Sequence, residues 1–272
     1  MRTIVHLSDL HFGRVDQQLL EPLRALVASL APDVLVVSGD LTQRAKTEEF
    51  IAARAFLDTL PGPQIVVPGN HDIPLYNVAS RFLTPLRRYL RYVTLDLTPE
   101  YVDDEIAVLG LNTARSLTIK DGRVNPEQVA LIRQRMSAVP KDVTRIVVTH
   151  HPFDLPQTFD KDDLVNRAPM AMRAFAECGV DLLLAGHFHA SSAGLSTDRY
   201  KLPGYAALVV QAGTATSTRG RGESNSFNVI RVHSDKIEVV RYSWVDGTAT
   251  FEPAQTEIFE RIGEAWHTTA VA

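Results

Sequence analysis

The chain has 272 residues, of which 45% are hydrophobic and 22% charged, with a formal net charge of −4. These are the proportions of a globular protein with one large domain or two small ones, long enough to bury a full core without staples. The acidic balance argues against a protein whose main task is to grip an extended nucleic acid, which needs a basic face.

Along the chain, short apolar runs recur at 3–7, 34–37, 65–67, 146–148 and 182–184. Each lacks polar alternation, the mark of a strand buried on both faces. Leu19, Leu20, Leu23, Leu26, Val27 and Leu30 follow a helical spacing and predict an amphipathic helix over about 16–30. A second helix is expected over about 47–59. Residues 74–91 read as helical, with Arg87, Arg88 and Arg91 on a solvated face. Asn125, Pro126 and Gln128 form a helix start, with an N-cap, a first-turn proline and a capping-box partner. Residues 153–168 are polar and acidic and read as a loop. Another helix is expected over 170–178, closed by Gly179. Strands alternating with helices argue for an α/β fold.

The last third changes character. Strands are expected at 206–211, 227–232 and 237–244, the last two joined by a hairpin at Ser234 and Asp235. They predict a second, more antiparallel sheet with a C-terminal hairpin over about 193–245. No linker divides the chain, so 1–272 reads as one domain. The single cysteine, Cys178, allows no intrachain disulfide and no Cys-rich zinc module. There is no leader pattern at the start and no run of ~20 apolar residues for a membrane span. A cytoplasmic protein is expected.

The residues directly after each buried strand carry the chemistry. After the first come Asp9 and His11, and after the second Asp40. The third is followed by Asn70, His71 and Asp72, the fourth by His150 and His151, and the fifth by His187 and His189. In an open α/β sheet the carboxyl ends of the strands share one edge, and ligands bind there. A lone histidine or aspartate at a strand end is more often structural. Five such loops in one register are hard to obtain by packing alone and predict a metal site. Oxygen and imidazole donors without thiolate suit Mn, Fe, Zn, Co or Ni. About seven donors exceed the needs of one ion, so two are expected.

Asp9-Leu10-His11, Gly39-Asp40, Gly69-Asn70-His71-Asp72, His150 and Gly186-His187-Phe188-His189 resemble the five motif blocks of the calcineurin-like metallophosphoesterases, in order. The resemblance implies a four-layer α/β/β/α sandwich of two mixed sheets with a dinuclear site. It implies that Asp9, His11, Asp40 and His189 hold one metal. Asp40, Asn70, His150 and His187 would hold the other, with Asp40 bridging. The two cofactor ions would be Fe, Mn or Zn. A metal-activated hydroxide would be the nucleophile. His71 would contact the phosphate or protonate the leaving oxygen, and Asp72 would orient His71 by accepting its hydrogen bond. His151 is read as a supporting or packing residue, and His6, His233 and His267 as structural or exposed.

The chain length, the Asn112-Thr113 pair and the loop from Thr214 to Asn228 resemble bacterial class III cyclic-nucleotide phosphodiesterases and glycerophosphodiesterase-like enzymes. A phosphodiesterase acting on a small phosphodiester is therefore expected, with no extended nucleic acid as partner and self-association left open. Arg115, Arg219 and Arg221 are weighed as phosphate contacts, but solvated loop arginines are the favoured reading. A lipid-A-pathway pyrophosphatase would need an apolar cap, which the acidic 153–168 does not resemble. A phosphomonoesterase, a protein phosphatase and a non-catalytic scaffold are the alternatives.

Overall fold

The computed structural model describes all residues except 119, 156–163, 197–198, 201, 220–221, 264 and 272. Half of the loop expected over 153–168, residues 156–163, and Arg221 lie outside the described residues. The first half runs β1 (Arg2–Leu7), α1 (Gln17–Leu30), β2 (Val34–Val37), α2 (Thr47–Leu57) and β3 (Gln64–Val66). A 3-10 turn at Asn70–Asp72 leads to α3 (Val78–Leu83), α4 (Arg87–Tyr92), β4 (Glu100–Val102) and β5 (Ile106–Gly110). Then come α5 (Pro126–Ser137), β6 (Thr144–Val148), α6 (Ala168–Cys178), β7 (Leu182–Ala185), β8 (Ser192–Leu195) and β9 (Leu208–Gln211). Four strands close the chain: β10 (Ser226–Val232), β11 (Lys236–Val245), β12 (Thr250–Ile262) and β13 (Ala265–Val271).

The helices form where the sequence caps them. The Asp16 side chain accepts the Gln18 amide at the start of α1, and Leu19, Leu23 and Val27 face inward. Each such buried side chain contributes about 1.5–3 kcal/mol. Asn125 and Gln128 make the reciprocal capping box of α5, and Gly179 ends α6 at φ 64°. The helix expected over 74–91 is broken into α3 and α4, with Thr84, Pro85 and Leu86 between them.

Two mixed sheets result. One has the order β13-β12-β11-β10-β1-β2-β3, and the other β4-β5-β6-β7-β9-β8. Ile4, Val36, Val148, Leu184 and Ile230 belong to the core between them. Val5 and Leu7 point the other way, to a core shared with α1 and α2. Val147 and Leu183 face α5 and α6. Every central strand therefore has both faces covered, which is why its apolar run shows no alternation. The layers are α/β/β/α, as the motif resemblance implies.

The strands of the last third depart from expectation. They do not make a sheet of their own: β9 joins β7 in parallel, while β10 pairs antiparallel with β1 and carries β11. The candidate loops consequently arise from two sheets, not one. β1, β2 and β3 deliver the first three, and β6 and β7 the other two. The hairpin at Ser234 and Asp235 forms as expected, with Val232 opposite Ile237.

At the centre of the first sheet, His6 is fully buried, with Nε2 2.9 Å from Ser38 Oγ. Its Nδ1 has no partner among the described residues. Burial holds its pKa down to about 3, against about 6.5 for an exposed histidine. The folded pKa is the lower one, so stability is full above pH 6.5 and is lost as pH falls toward 3. The slope is about 1.4 kcal/mol per pH unit for one group. Urea midpoints of wild type and His6→Gln should converge between pH 7 and pH 5 as the wild type loses stability. Parallel pH profiles would refute the buried neutral histidine.

Candidate metal centre

The carboxyl ends of the two sheets meet, and the expected residues converge there. Asp9, His11, Asp40, His150, His187 and His189 are all buried. Asp9, His11, Asp40, His187 and His189 have φ between 50° and 78°. This left-handed region is sparsely used by residues other than glycine, though Asp and His tolerate it better than most. It costs on the order of 1–3 kcal/mol per residue and persists only where the surroundings fix it. Here it turns each side chain back over the strand end.

Glycines make the convergence physically close. A Cβ on Gly186 would lie 1.8 Å from Ser8 Oγ, and one on Gly69 2.1 Å from Asp40 Oδ1. Neither position has room for a side chain, so these two glycines serve close approach, whereas Gly39 also needs its φ of 94°.

Among the described residues, three groups each bring donor atoms within 4.8 Å of one another: Asp9, His11 and His189; Asp9, Asp40 and His150; and His150, His151 and His187. In the first, Asp9 Oδ1 lies 3.2 Å from His189 Nε2 and 3.6 Å from His11 Nε2. Asp9 Oδ1 is buried without a hydrogen-bond partner among the described residues, while Oδ2 accepts from Ser8 Oγ and the His187 amide. Asp40 stands between the groups, its Oδ1 3.4 Å from His150 Nε2 and its Oδ2 3.8 Å from His11 Nε2. Asn70 Oδ1 is 3.1 Å from His150 Nε2, and His187 Nδ1 is 3.3 Å from the same atom.

Backbone carbonyls set which imidazole nitrogen faces inward. His189 Nδ1 donates to the Arg219 carbonyl at 3.2 Å, and His150 Nδ1 to the Ser38 carbonyl at 2.8 Å. A carbonyl only accepts, so in each neutral ring Nε2 presents its lone pair to the cluster. Lone pairs facing one another and an orphaned carboxylate oxygen are the arrangement a divalent cation resolves. The residues therefore fit a metal on the donor chemistry itself.

Electrostatics say the same. Burial opposes charge on Asp40, but His150 and His71 outweigh it and hold the carboxyl well below its usual range. Burial opposes the His150 charge too, and Asp40 outweighs it, pushing the imidazole up to about 9. Burial, aided by His150, drives its neighbour His187 down to about 3. One positive charge is thus favoured between the facing rings.

Two expectations change. His71 does not donate to Asp72: its Nδ1 donates to the Gln43 carbonyl at 2.9 Å. Asp72 instead accepts from the Gly69, Leu41 and Thr42 amides and from Thr42 Oγ1, tying the second and third loops together. It is a brace, because the 3-10 turn points its carboxylate at backbone donors. His151, read as a supporting or packing residue, lies in a donor group with His150 and His187, its Nδ1 2.8 Å from Thr113 Oγ1.

Among the weighed arginines, Arg115 donates to the carbonyls of Asn112 and Ala114 and to Gln128 Oε1, and so binds its own loop. Arg219 is different. Its Nη1 lies 3.0 Å from His71 Nε2, inside the site. Nothing in the sequence near Arg219 marked that contact, because it spans 148 positions.

The calcineurin-like phosphoesterase family profile matches residues 2–191. The chain belongs to that family, a class of metal-dependent phosphoester hydrolases. It is 26% identical over 223 residues to the glycerophosphodiester phosphodiesterase GpdQ of Enterobacter lignolyticus, covering 74% of this chain and 78% of that one. It is 22% identical over 158 residues to the 3′,5′-cyclic adenosine monophosphate phosphodiesterase CpdA of Haemophilus influenzae, covering 58% and 54%. A dimetal phosphatase from Danio rerio shares the fold at a TM-score of 0.63 and 12% identity, with 88% and 95% of the two chains covered. Among the described residues, no helix is long and apolar enough to cross a membrane.

Proposed function

We propose that this chain is a phosphodiesterase that holds two divalent metal ions and hydrolyses small phosphodiesters, cyclic nucleotides or glycerophosphodiesters among them. The observation that carries the reading is the run of three adjoining His and carboxylate donor groups, joined through Asp9 and His150, where the two sheet edges meet. The names of the two phosphodiesterase relatives support the substrate class. Residues 1–272 form one domain in this reading, working in the cytoplasm.

Asp9, His11, Asp40 and His189 would hold one ion, and Asp40, Asn70, His150 and His187 the other. Bound there, the ions would activate a water and neutralise phosphoryl charge. The remaining work falls to His71 and Arg219. The Gln43 carbonyl fixes His71 with its proton on Nδ1 and its Nε2 toward Arg219. The Arg219 guanidinium is therefore held at the site with a donor ready for a phosphate oxygen. When a phosphate takes that donor, His71 Nε2 is freed to take up a proton from solvent and pass it to the leaving oxygen. Asp72 keeps the two loops in register. Thr113 holds His151 in the same way.

The test is a substrate panel with metal-reconstituted protein: bis(p-nitrophenyl) phosphate, cyclic AMP, cyclic GMP, 2′,3′-cyclic nucleotides, glycerophosphodiesters and monoesters. Diesters should exceed monoesters in kcat/KM. A monoester preference would make it a phosphatase, and no turnover at all would leave a scaffold.

A further inference from the structure

One short helix is built inside out. The buried side chain of α3 is Arg81. Its guanidinium donates to the Ser116 carbonyl at 2.9 Å, to Thr118 at 3.1 Å and to Pro74 at 3.3 Å. The apolar residues around it face water: Tyr76 is 76% exposed, Val78 65%, Phe82 52% and Leu83 80%. Leu117, between the two loop carbonyls that Arg81 binds, is 80% exposed. Arg81 thus fastens a second apolar tip beside the first. Large apolar side chains exposed together, rather than singly, mark an interaction surface.

The same stretch is basic. Residues 73–95 contain Arg81, Arg87, Arg88 and Arg91 and no Asp or Glu, in a chain of net charge −4. Ser80 and Thr84 from the α3 side, and Arg87, Arg88 and Arg91 from α4, line one cavity of about 180 Å³. Arg87 and Arg91 are exposed, while Tyr89 anchors α4 in the core with its hydroxyl on the Val66 carbonyl. Guanidinium groups with hydroxyls in a concavity match phosphate oxygens.

We propose that the α3–α4 face docks on an anionic phospholipid bilayer. Tyr76, Val78, Phe82 and Leu83 would enter the acyl boundary, and the arginine cavity would receive lipid phosphates. Charge decides against a second copy of this chain. A two-fold interface would set this face on itself, arginines against arginines, with no carboxylate from 73–95 to pair them. A free phosphate would fill the cavity but leave the apolar side chains wet. Each arginine near an anionic surface multiplies partitioning about fivefold. Arg44 lies 5.4 Å over the Tyr76 ring, and the next residue back, Gln43, holds His71. Docking therefore brings the rim of the metal centre to the lipid surface, whatever ester it cleaves.

The experiment is co-sedimentation of the full chain with vesicles of phosphatidylcholine alone and with one quarter phosphatidylglycerol. Binding to the anionic vesicles should be at least tenfold stronger and should weaken with salt. The pair Phe82→Ser/Leu83→Ser should lose tenfold or more, and Arg87→Gln/Arg91→Gln about 25-fold. Both pairs should keep their circular dichroism and their turnover of bis(p-nitrophenyl) phosphate. Absence of binding to anionic vesicles overturns the proposal, and so does binding that neither pair weakens. Self-association of the wild type that Phe82→Ser/Leu83→Ser abolishes, without vesicle binding, assigns the face to a second copy instead.

Discussion

Asp40→Ala should empty the centre. Asp40 is 1% exposed and lies within 4 Å of His11 and His150, which belong to different sheets. Its Oδ1 also accepts the His71 amide at 2.8 Å. Removing it takes a negative charge from among facing imidazoles and frees the backbone that carries His71. Metal content after dialysis should fall at both positions, not one. The rate should drop by more than the ~10²–10³-fold that losing a single positioned donor costs. Asp40→Asn keeps the shape without the charge and should lose metal as well. Two retained ions per chain in Asp40→Ala would reject the bridge.

His71→Ala should behave in the opposite way: metal stays and chemistry goes. His71 touches Gln43 and Arg219, and its ring packs edge-on 4.9 Å from that of His11. General acid or phosphate-contact groups contribute roughly 10²–10⁴-fold, and the loss should appear in kcat more than in KM. It should be smaller for p-nitrophenolate, which leaves without a proton, than for an alkoxide. His150→Ala should lose metal and rate together. Arg219→Ala should be strongly non-additive with His71→Ala, because the two side chains meet at 3.0 Å. A simple product of the two single effects would show that they act apart, and metal loss in His71→Ala would remove its assigned role.

The strand ends were legible because each carries its chemistry immediately after an apolar run. Asp9 after β1 and His187 after β7 need no knowledge of what lies opposite. The partition of those strands was not legible. That β10 pairs with β1, more than 220 residues away, and β9 with β7, 26 residues away across β8, is decided by which apolar faces meet. β12 was missed because Glu252, Pro253, Gln255 and Glu257 look like a loop, and only the ladder to β11 shows them to be strand. Asp72 illustrates a further limit. Adjacency to His71 predicted a bond between them, but a tight turn sends neighbouring side chains apart. The Arg81 burial was equally hidden, since an arginine among Val78, Phe82 and Leu83 reads as the solvated member of the set.

The N-terminal strand lies inside its sheet, with β2 along one side and β10 along the other. During synthesis β2 becomes available almost at once, but β10 emerges only after roughly 220 further residues. At 5–20 residues per second the delay is about 10–45 s. Through that interval the β1 edge is an open row of amides and carbonyls, flanked by Ile4 and Val5, with its partner still unmade. A nascent chain arrested before residue 226 therefore presents an unpaired β1 edge, open to pairing with another strand until β10 is made.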